Sequence, residues 1–146
     1  MIAIDTNVLL RHILQDDYQQ SPKASTLIEK HDCILITDVV LIETIWTLLG
    51  KKYQASFDDI IKLISDLLSD PVMSFENPQV IWQALNDFRA DYPATNTTGA
   101  KRKRPDFADA LILNKAKHLA KEWEKTPCPL YSFDQGVLQM AETTTP

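Results

Sequence analysis

The chain has 146 residues, of which 45% are hydrophobic and 24% are charged, and its net charge at pH 7 is −5. This composition is typical of a globular protein and excludes a disordered or fibrous chain. No apolar run approaches the length that spans a bilayer, and the start at Met1 lacks the features of a signal peptide, so we expect neither membrane insertion nor secretion.

The first third of the chain alternates short apolar runs with amphipathic stretches. Residues 2–4 predict a strand, and the apolar positions that follow Asp5 recur at helical spacing. Ser21 followed by proline predicts the start of a second helix, as an N-cap with proline at the first helical position. Residues 33–36 predict a second strand, and the helix after it ends near Gly50.

The middle of the chain repeats this alternation. Residues 58–69 predict a helix, residues 72–75 predict a third strand, and Asn77 with the following proline caps a further helix. Residues 94–104 have no periodicity and are rich in threonine, asparagine and basic side chains, so they predict a loop. A long helix is expected beyond Pro105.

The C-terminal part predicts a fourth strand over residues 127–133 and a last short helix that ends near Glu142. The threonine-rich residues 143–146 are expected to form a frayed tail. Short apolar strands that alternate with amphipathic helices indicate a parallel sheet covered on both faces. We therefore expect an α/β fold, a three-layer α/β/α sandwich around a parallel sheet of four or five short strands, in a single domain over residues 1–142.

The cysteines and the basic residues bear on compartment and partners. Cys33 and Cys128 have no neighbours at the spacing of a zinc site or redox motif, so we expect a reduced cytoplasmic protein. The acidic balance argues against extensive contact with phosphate backbones. However, one basic island stands in this acidic chain, and it consists of Lys101, Arg102, Lys103 and Arg104.

Several acidic residues are predicted at one edge of the sheet. In an open parallel sheet, ligands bind beyond the carboxyl ends of the strands. Asp5 ends the first strand, Asp134 follows the fourth, and Asp106 and Asp109 open the helix after the basic island. Glu43 lies one turn inside its helix among apolar residues that we expect to face the core. An unpaired carboxylate is costly there, so it requires a compensating cation.

A divalent metal ion would satisfy this whole set of acids. Oxygen ligands suit Mg²⁺ or Mn²⁺ better than zinc, and the metal would keep neighbouring carboxylates ionised. Such a metal can polarise a phosphoryl oxygen and activate water for attack on phosphorus. The acids therefore indicate phosphodiester hydrolysis without a protein nucleophile.

Each acid also has a purely structural interpretation. Asp5 and Asp106 can act as helix caps, Asp109 can favour a helix start, and Asp134 can be a turn residue. Glu43 can form a buried ion pair, for which the conceivable partners are Arg11, Lys51 and Lys52. The basic island can be a solvated loop, or it can contact RNA phosphates beside the metal.

Four segments together resemble the PIN-domain family, in particular VapC-like toxins. They are Ile-Asp-Thr-Asn-Val-Leu at 4–9, the isolated glutamate of Asp-Val-Val-Leu-Ile-Glu-Thr, Asp-Phe-Ala-Asp-Ala-Leu-Ile at 106–112, and Tyr-Ser-Phe-Asp at 131–134. The resemblance spans nearly the whole chain in the family's order. It implies a metal-dependent ribonuclease, commonly the toxin of a bacterial toxin-antitoxin pair, with RNA as substrate, an antitoxin protein as partner and a homodimeric state.

The resemblance also implies roles for individual residues. Asp5 and Asp109 would be the main metal ligands, and Glu43 would bind the metal directly or through water. Asp134 would be an outer acid that helps to hold a second metal or orients water. The supporting residues Thr6 and Asn7 would hydrogen-bond these carboxylates or the attacking water, and Asp106 matches a more variable position.

The chain departs from the family pattern in two places. The tail after Asp134 is short for a fifth strand, and residues 94–104 are longer and more basic than in compact toxins. Both departures bear on the subfamily rather than on the acids. A PIN-fold nuclease for RNA processing outside a toxin pair therefore stays an alternative.

Other functional classes fit less well. An aspartyl phosphatase needs a second aspartate two residues after the first, where this chain has Asn7. A phospho-receiver domain needs a paired acid after the first strand and a late lysine. A catalytically silent module that binds RNA or an antitoxin remains open, although the presence of all the main acids disfavours it.

Overall fold

A computed structural model describes residues 1–92, 99, 101 and 103–146 of the chain. These residues form two compact units, Met1–Pro78 and Gln79–Pro146. The first unit carries a parallel sheet with helical connections, and the second carries two helices followed by a small two-stranded sheet. The chain is therefore an α/β protein with a parallel sheet, as predicted.

The first unit alternates strands and helices. Its elements are β1 (Ile2–Ala3), α1 (Thr6–Leu14), α2 (Gln20–Glu29), β2 (Ile34–Ile36), α3 (Asp38–Leu49), α4 (Phe57–Ser69) and β3 (Met73–Phe75). The strands pair in parallel in the order β1-β2-β3, with Ile2 opposite Ile34 and Ile34 opposite Met73. Because all three strands run in one direction, the residues that follow them lie at one edge of the sheet.

Complete burial of apolar side chains fixes this sheet in place. Ile34 and Ile36 on the central strand are fully buried, as is Leu9 on α1. On α3 the buried apolar positions are Leu41, Ile45 and Leu48, which follow one another at helical spacing. Burial of side chains of this size stabilises the fold by about 1.5–3 kcal/mol each. Polar side chains begin where β1 and β2 end, beside this buried core.

One predicted helix start is wrong. Helix α2 begins at Gln20, and Ser21 is buried inside it rather than acting as its N-cap. The cap is supplied by Asp17, whose Oδ1 accepts hydrogen bonds from the backbone amides of Gln19 at 2.9 Å and Gln20 at 2.7 Å. A carboxylate that satisfies two otherwise unpaired amides replaces the serine hydroxyl here.

The second unit contains two helices and a pair of short strands. Its elements are α5 (Pro78–Arg89), α6 (Phe107–Glu122), β4 (Leu130–Tyr131), a 3₁₀ helix (Val137–Gln139) and β5 (Thr143–Thr144). Phe88 of α5 and Phe107 of α6 pack edge to face, with ring centroids 6.0 Å apart. Offset or edge-to-face pairs are the favoured aromatic geometry. This contact joins the two helices at the start of α6.

Two expectations for the C-terminal part are corrected. The residues expected to fray include β5, which pairs in parallel with β4, and the amide of Ser132 donates to the carbonyl of Thr144 at 2.9 Å. The hydroxyl of Thr143 also donates to the carbonyl of Met140 at 2.8 Å. Because β4 needs partners for its backbone groups, it recruits the tail. A fifth strand is therefore present, in a sheet separate from the three-stranded one within the described residues.

The three tryptophans are largely exposed. Trp46, Trp82 and Trp123 are each about half exposed or more, at 57%, 48% and 66%. Cys33 and Cys128 are both free thiols. Among the helices of the described ranges, none is long and apolar enough to cross a membrane.

Candidate active site

Asp5 lies at the carboxyl end of β1 and is the N-cap of α1. Its Oδ1 accepts a hydrogen bond from the amide of Val8 at 2.9 Å, so the capping interpretation is geometrically correct. The carboxylate is exposed, and its other oxygen has no hydrogen-bond partner within the described residues. A carboxylate accepts about four hydrogen bonds or cation contacts in all. Capping therefore leaves Asp5 one oxygen with which to bind a cation.

Glu43 does not face the core, contrary to the prediction. Glu43 is on the exposed side of α3, whereas the buried positions of this helix are Asp38, Leu41, Thr44, Ile45 and Leu48. The exposed stripe also contains Val39 and Trp46, at helical spacing from the glutamate and exposed by 72% and 57%. Apolar neighbours in the sequence were misleading because two of them are solvent-exposed. The requirement for a cation to compensate a buried charge no longer applies.

The partner of Glu43 within the first unit is Thr6. The hydroxyl of Thr6 donates to Oε2 of Glu43, and this contact links the first residue of α1 to α3. Thr6 thus hydrogen-bonds one of the predicted site acids. The ion pair proposed as an alternative is not formed by Arg11, which pairs with Asp16 at 2.5 Å.

Lys51, Lys52 and Asn7 form no hydrogen bond or salt bridge with Glu43 within the described residues. Lys52 donates to the hydroxyl of Tyr53 at 2.8 Å, and Lys51 is exposed. Asn7 is exposed on α1 and has no hydrogen bond with a side chain of the described residues. Asn7 is two residues from Asp5 in the chain. Its supporting role stays a prediction.

Two further acids lie at the same sheet edge as Asp5, and neither was predicted as a site residue. Asp38 follows β2 and Glu76 follows β3, so the rule that identifies Asp5 identifies both. Asp38 is only 9% exposed, and its backbone amide donates to Oε1 of Glu76 at 3.1 Å. Glu76 therefore helps to complete the start of α3, beside the N-cap Thr37.

Asp106 and Asp109 form a reciprocal cap at the start of α6. The amide of Asp109 donates to Oδ1 of Asp106 at 2.8 Å, and the amide of Asp106 donates to Oδ2 of Asp109 at 2.9 Å. This capping box satisfies two amides that the helix leaves unpaired. It also holds two carboxylates side by side. As at Asp5, each retains one oxygen without a hydrogen-bond partner in the described part of the chain.

The electrostatic environment of Asp109 favours a cation. Burial raises the pKa of Asp109, and the negative charges of Asp106 and Asp134 raise it further. The amide of Asp106 and the ammonium of Lys103 lower this pKa but do not cancel the rise. A divalent ion would favour the ionised carboxylate and reverse the shift.

Asp134 is held by a tight turn and by Lys103. Its Oδ1 accepts hydrogen bonds from the amides of Gly136 at 2.7 Å and Val137 at 3.3 Å. Its Oδ2 accepts from Nζ of Lys103, and this contact is the main reason why the pKa of Asp134 is lowered. A Cβ at Gly136 would lie 2.8 Å from the carbonyl oxygen of Arg104 and 2.9 Å from Asp134 Oδ1. Only glycine lets the turn close on the carboxylate.

The described residues of the basic island are all exposed, and two of them also contact other parts of the chain. Arg104 donates to the carbonyls of Phe88 at 2.8 Å and Ala90 at 3.1 Å, so it binds the end of α5. Lys103 pairs with Asp134, and Lys101 is exposed. Arg102, like most of the predicted loop, lies outside the described residues. Lys103 and Arg104 are exposed although they make these contacts, so both the solvated-loop interpretation and the RNA contact stay predictions.

The donors suit a hard divalent cation in their chemistry. Every candidate ligand is a carboxylate oxygen, and Mg²⁺ and Mn²⁺ prefer such ligands. In neither unit, counting only described residues, do three or more acidic, histidine or cysteine side chains gather at metal-binding distances. Each unit instead offers carboxylates fixed through one oxygen. The residues thus fit the ion by donor type and anchoring.

Comparison with known proteins gives one match. A family model described as PIN domain matches residues 2–123. No curated protein and no solved structure matches the chain. The matched range covers most of the chain and includes Asp5, Glu43, Asp106 and Asp109, whereas Asp134 lies beyond it.

Proposed function

Because this chain belongs to the PIN domain family, whose members are generally nucleases, we propose that it is a ribonuclease that hydrolyses RNA phosphodiester bonds with Mg²⁺ or Mn²⁺. Its catalytic residues are Asp5, Glu43, Asp109 and Asp134. The observation that carries the proposal is the anchoring of the acids. Asp5 and Asp109 each accept a backbone hydrogen bond at a helix start with one oxygen, and the other oxygen is available to a metal ion.

The metal ligands in this proposal are Asp5, Asp109 and Glu43, with Asp106 as a further ligand. A bound divalent ion supplies a Lewis acid that polarises the phosphodiester and makes water a stronger nucleophile. Asp5 and Asp109 hold their carboxylates in place through backbone amides, without a mobile side-chain partner. Preorganised groups of this kind contribute to catalysis because little reorganisation is needed during the reaction.

Glu43 and Asp134 are each held in place by a neighbouring group. The Thr6 hydroxyl fixes one oxygen of Glu43 toward the start of α1. The turn at Gly136 fixes Asp134, which accepts a hydrogen bond from the attacking water and orients it. Lys103 is the cation that faces Asp134, so it competes with water for one oxygen of this carboxylate.

We also propose that the protein is the toxin of a toxin-antitoxin pair, acts in the cytoplasm and forms a homodimer. The support is the order of the four motif segments and the two free thiols, Cys33 and Cys128. Co-expression with the product of the adjacent reading frame tests the antitoxin. Protection of cells from the toxicity of this chain, and co-purification of the two proteins, are expected. Unchanged toxicity with no complex would contradict the pairing.

Metal reconstitution tests the ribonuclease activity. The protein is stripped with EDTA, dialysed, and incubated with a labelled unstructured RNA in buffer alone or with Mg²⁺, Mn²⁺ or Ca²⁺. Cleavage is expected to return with Mg²⁺ or Mn²⁺ and to stay absent in EDTA. Cleavage at the same rate in EDTA would refute the metal dependence. Absence of cleavage of every RNA tested with either metal would refute the ribonuclease itself.

A further inference from the structure

A cavity of about 260 Å³ lies between α1 and α2, beside Asp5. Its apolar lining comes from Val8 on α1 and from Ala24 and Leu27 on α2. Leu27 is 37% exposed, whereas Ala24 is almost fully buried. Because Asp5 lines the same cavity, a ligand in it would adjoin a carboxylate that we propose as a metal ligand.

Two cationic side chains also line the cavity, and they differ in availability. The guanidinium of Arg11 is held by Asp16 at 2.5 Å and donates to the hydroxyl of Tyr53 at 3.2 Å. Lys23 is exposed and forms no salt bridge within the described residues. Arg11 thus gives the cavity a fixed positive group that Asp16 partly neutralises, and Lys23 gives it an ammonium that can bind an anion.

The remaining polar lining is provided by the amides of Asn7 and Gln20. A side-chain amide both donates and accepts hydrogen bonds, as do the edges of nucleobases. An apolar surface with a few polar groups is the usual composition of a small-ligand pocket, and this volume lies just below the usual range for such pockets. An amphipathic helix needs several anchor positions along a groove. The cavity therefore suits a single nucleotide better than a protein helix.

We propose that this cavity is a nucleotide subsite for single-stranded RNA. The base rests on Val8, Ala24 and Leu27, and an adjoining phosphate binds Lys23. The inference rests on the proposed function, because it assigns the cavity to the nucleotide next to the cleaved bond. It adds substrate-binding residues that the acidic motifs do not include.

Direct RNA binding tests the subsite without turnover. All variants are made on an Asp109→Asn background. Binding of a fluorescein-labelled unstructured ten-nucleotide RNA is followed by fluorescence anisotropy. The salt concentration is varied between about 50 and about 200 mM, a range that includes physiological ionic strength. Lys23→Gln removes the phosphate contact, and Leu27→Ala reduces the apolar surface. Lys62→Gln is the matched control, because Lys62 is exposed on α4 and pairs only with Asp66 among the described residues.

The two substitutions are expected to have different signatures. Lys23→Gln weakens binding about fivefold and reduces the slope of log K against log salt by about 0.7, the value for one phosphate contact with a single strand. Leu27→Ala weakens binding about threefold to tenfold and leaves the slope unchanged, because it removes apolar contact only. Lys62→Gln stays within about twofold of the parent. Thermal unfolding of each variant verifies that the fold is retained.

Two results would overturn the subsite. One is that both Lys23→Gln and Leu27→Ala bind RNA as tightly as the parent does. This outcome includes the case in which the variants lose binding of a protein partner and keep binding of RNA. The other is a loss with Lys23→Gln alone, which would indicate a charge effect without a base site. Wild-type cleavage is measured in parallel. If the wild type cleaves RNA but the cavity variants bind RNA as the parent does, only the subsite is refuted. If RNA binding depends on the cavity residues but the wild type does not cleave RNA, only the proposed ribonuclease is refuted.

Discussion

At the scale of single residues, Asp5 and Asp109 cap helices and can in addition bind a cation. Asp5 accepts the amide of Val8, Asp109 accepts the amide of Asp106, and each does so with one oxygen. Capping and metal binding are therefore compatible, because a carboxylate has capacity for both. The backbone contact also restricts the rotamers of the side chain, so the second oxygen has a defined position. Helix starts are thus suitable places for metal ligands.

The Thr6 contact leads to a prediction about Glu43. Thr6→Val keeps the shape of the side chain but removes the hydroxyl that donates to Oε2 of Glu43. If Glu43 acts as proposed, kcat for RNA cleavage should fall about tenfold, as is usual when a partner that orients a metal ligand is lost. Steady-state cleavage kinetics measure kcat, and thermal unfolding verifies that the variant is folded.

The matched control for this change is Thr26→Val, at an exposed position of α2. It should leave kcat within about twofold, since a surface substitution of this kind has little effect. If Thr6→Val cleaves RNA as fast as the control does, Glu43 does not depend on Thr6 for its role.

Gly136 gives a second residue-scale prediction. In Gly136→Ala, the new methyl group meets the carbonyl oxygen of Arg104 at 2.8 Å, and that atom belongs to the backbone and cannot rotate away. The turn must move, and Asp134 moves with it. We expect a loss of about 1–3 kcal/mol in the free energy of unfolding, as for other overpacked sites, together with slower RNA cleavage.

The neighbouring substitution Gln135→Ala provides the comparison, because Gln135 is exposed. Urea unfolding and cleavage kinetics of the two variants are compared. Equal stability and activity of Gly136→Ala and Gln135→Ala would show that the turn tolerates a side chain and that its close approach to Asp134 is not required.

At the scale of elements, helix starts again account for much of the local structure. Helix α4 begins with a capping box in which the amide of Ser56 donates to Asp59 at 2.8 Å and the amide of Asp59 donates to Ser56 at 3.1 Å. Serine followed three residues later by an acid is a recognisable helix start. The start of α4 is therefore recognisable in the sequence. The start of α2 depends on Asp17, whose capping role is less evident from the sequence.

The α4 cap predicts a loss of stability and a change in pH dependence. The backbone and hydroxyl of Ser56 lower the pKa of Asp59 below its ordinary value of 3.8. A lowered folded-state pKa gives stability that is present above the ordinary value and is lost as the pH falls through the lowered value. Ser56→Ala should reduce this pKa shift. It should also destabilise the protein at pH 7 by about 1 kcal/mol, the usual effect of losing a serine cap.

Urea unfolding at pH 7 and at about pH 2.5, which is below the ordinary pKa of aspartate, measures this effect. The difference between wild type and Ser56→Ala is expected to shrink at the lower pH. Ser69→Ala at the end of the same helix is the control, since its hydroxyl donates to the carbonyl of Ser65 and caps no amide. A difference that is the same at both pH values would contradict the cap's dependence on ionised Asp59.

At the scale of the whole molecule, alternation of apolar strands and helices was enough to predict the α/β class and the position of Asp5 after the first strand, although Asp38 and Glu76 were missed. The orientation of α3 was not predictable in the same way. Val39 and Trp46 are apolar but exposed, so hydrophobicity alone assigned Glu43 to the wrong face. The 3.6-residue period identifies the buried face of a helix only when the other faces of the helix carry no apolar residues.

Contacts between distant residues were the second limit. β5 consists of two threonines that become a strand only because β4 supplies hydrogen-bonding partners, and no local pattern indicates this pairing. Lys103 and Asp134 are 31 residues apart in the chain, and their contact has no counterpart in the motif segments. Long-range pairing depends on the folded chain, whereas helix caps and strand ends depend on neighbours in the sequence.

The central claim is that Asp5 and Asp109 bind a catalytic metal and do not merely cap helices. Asparagine is as good a cap as aspartate, so Asp5→Asn preserves the start of α1 and removes the charge. Its single-turnover rate of RNA cleavage in Mg²⁺ or Mn²⁺ is the decisive measurement, with Asp109→Asn and the double variant beside it.

We predict that each single substitution slows cleavage at least about a thousandfold while thermal stability is retained, and that the double variant is little slower than either, since residues that act as one unit are not additive. Cleavage by Asp5→Asn at the wild-type rate would contradict the account, because it would leave Asp5 with the role of a helix cap alone.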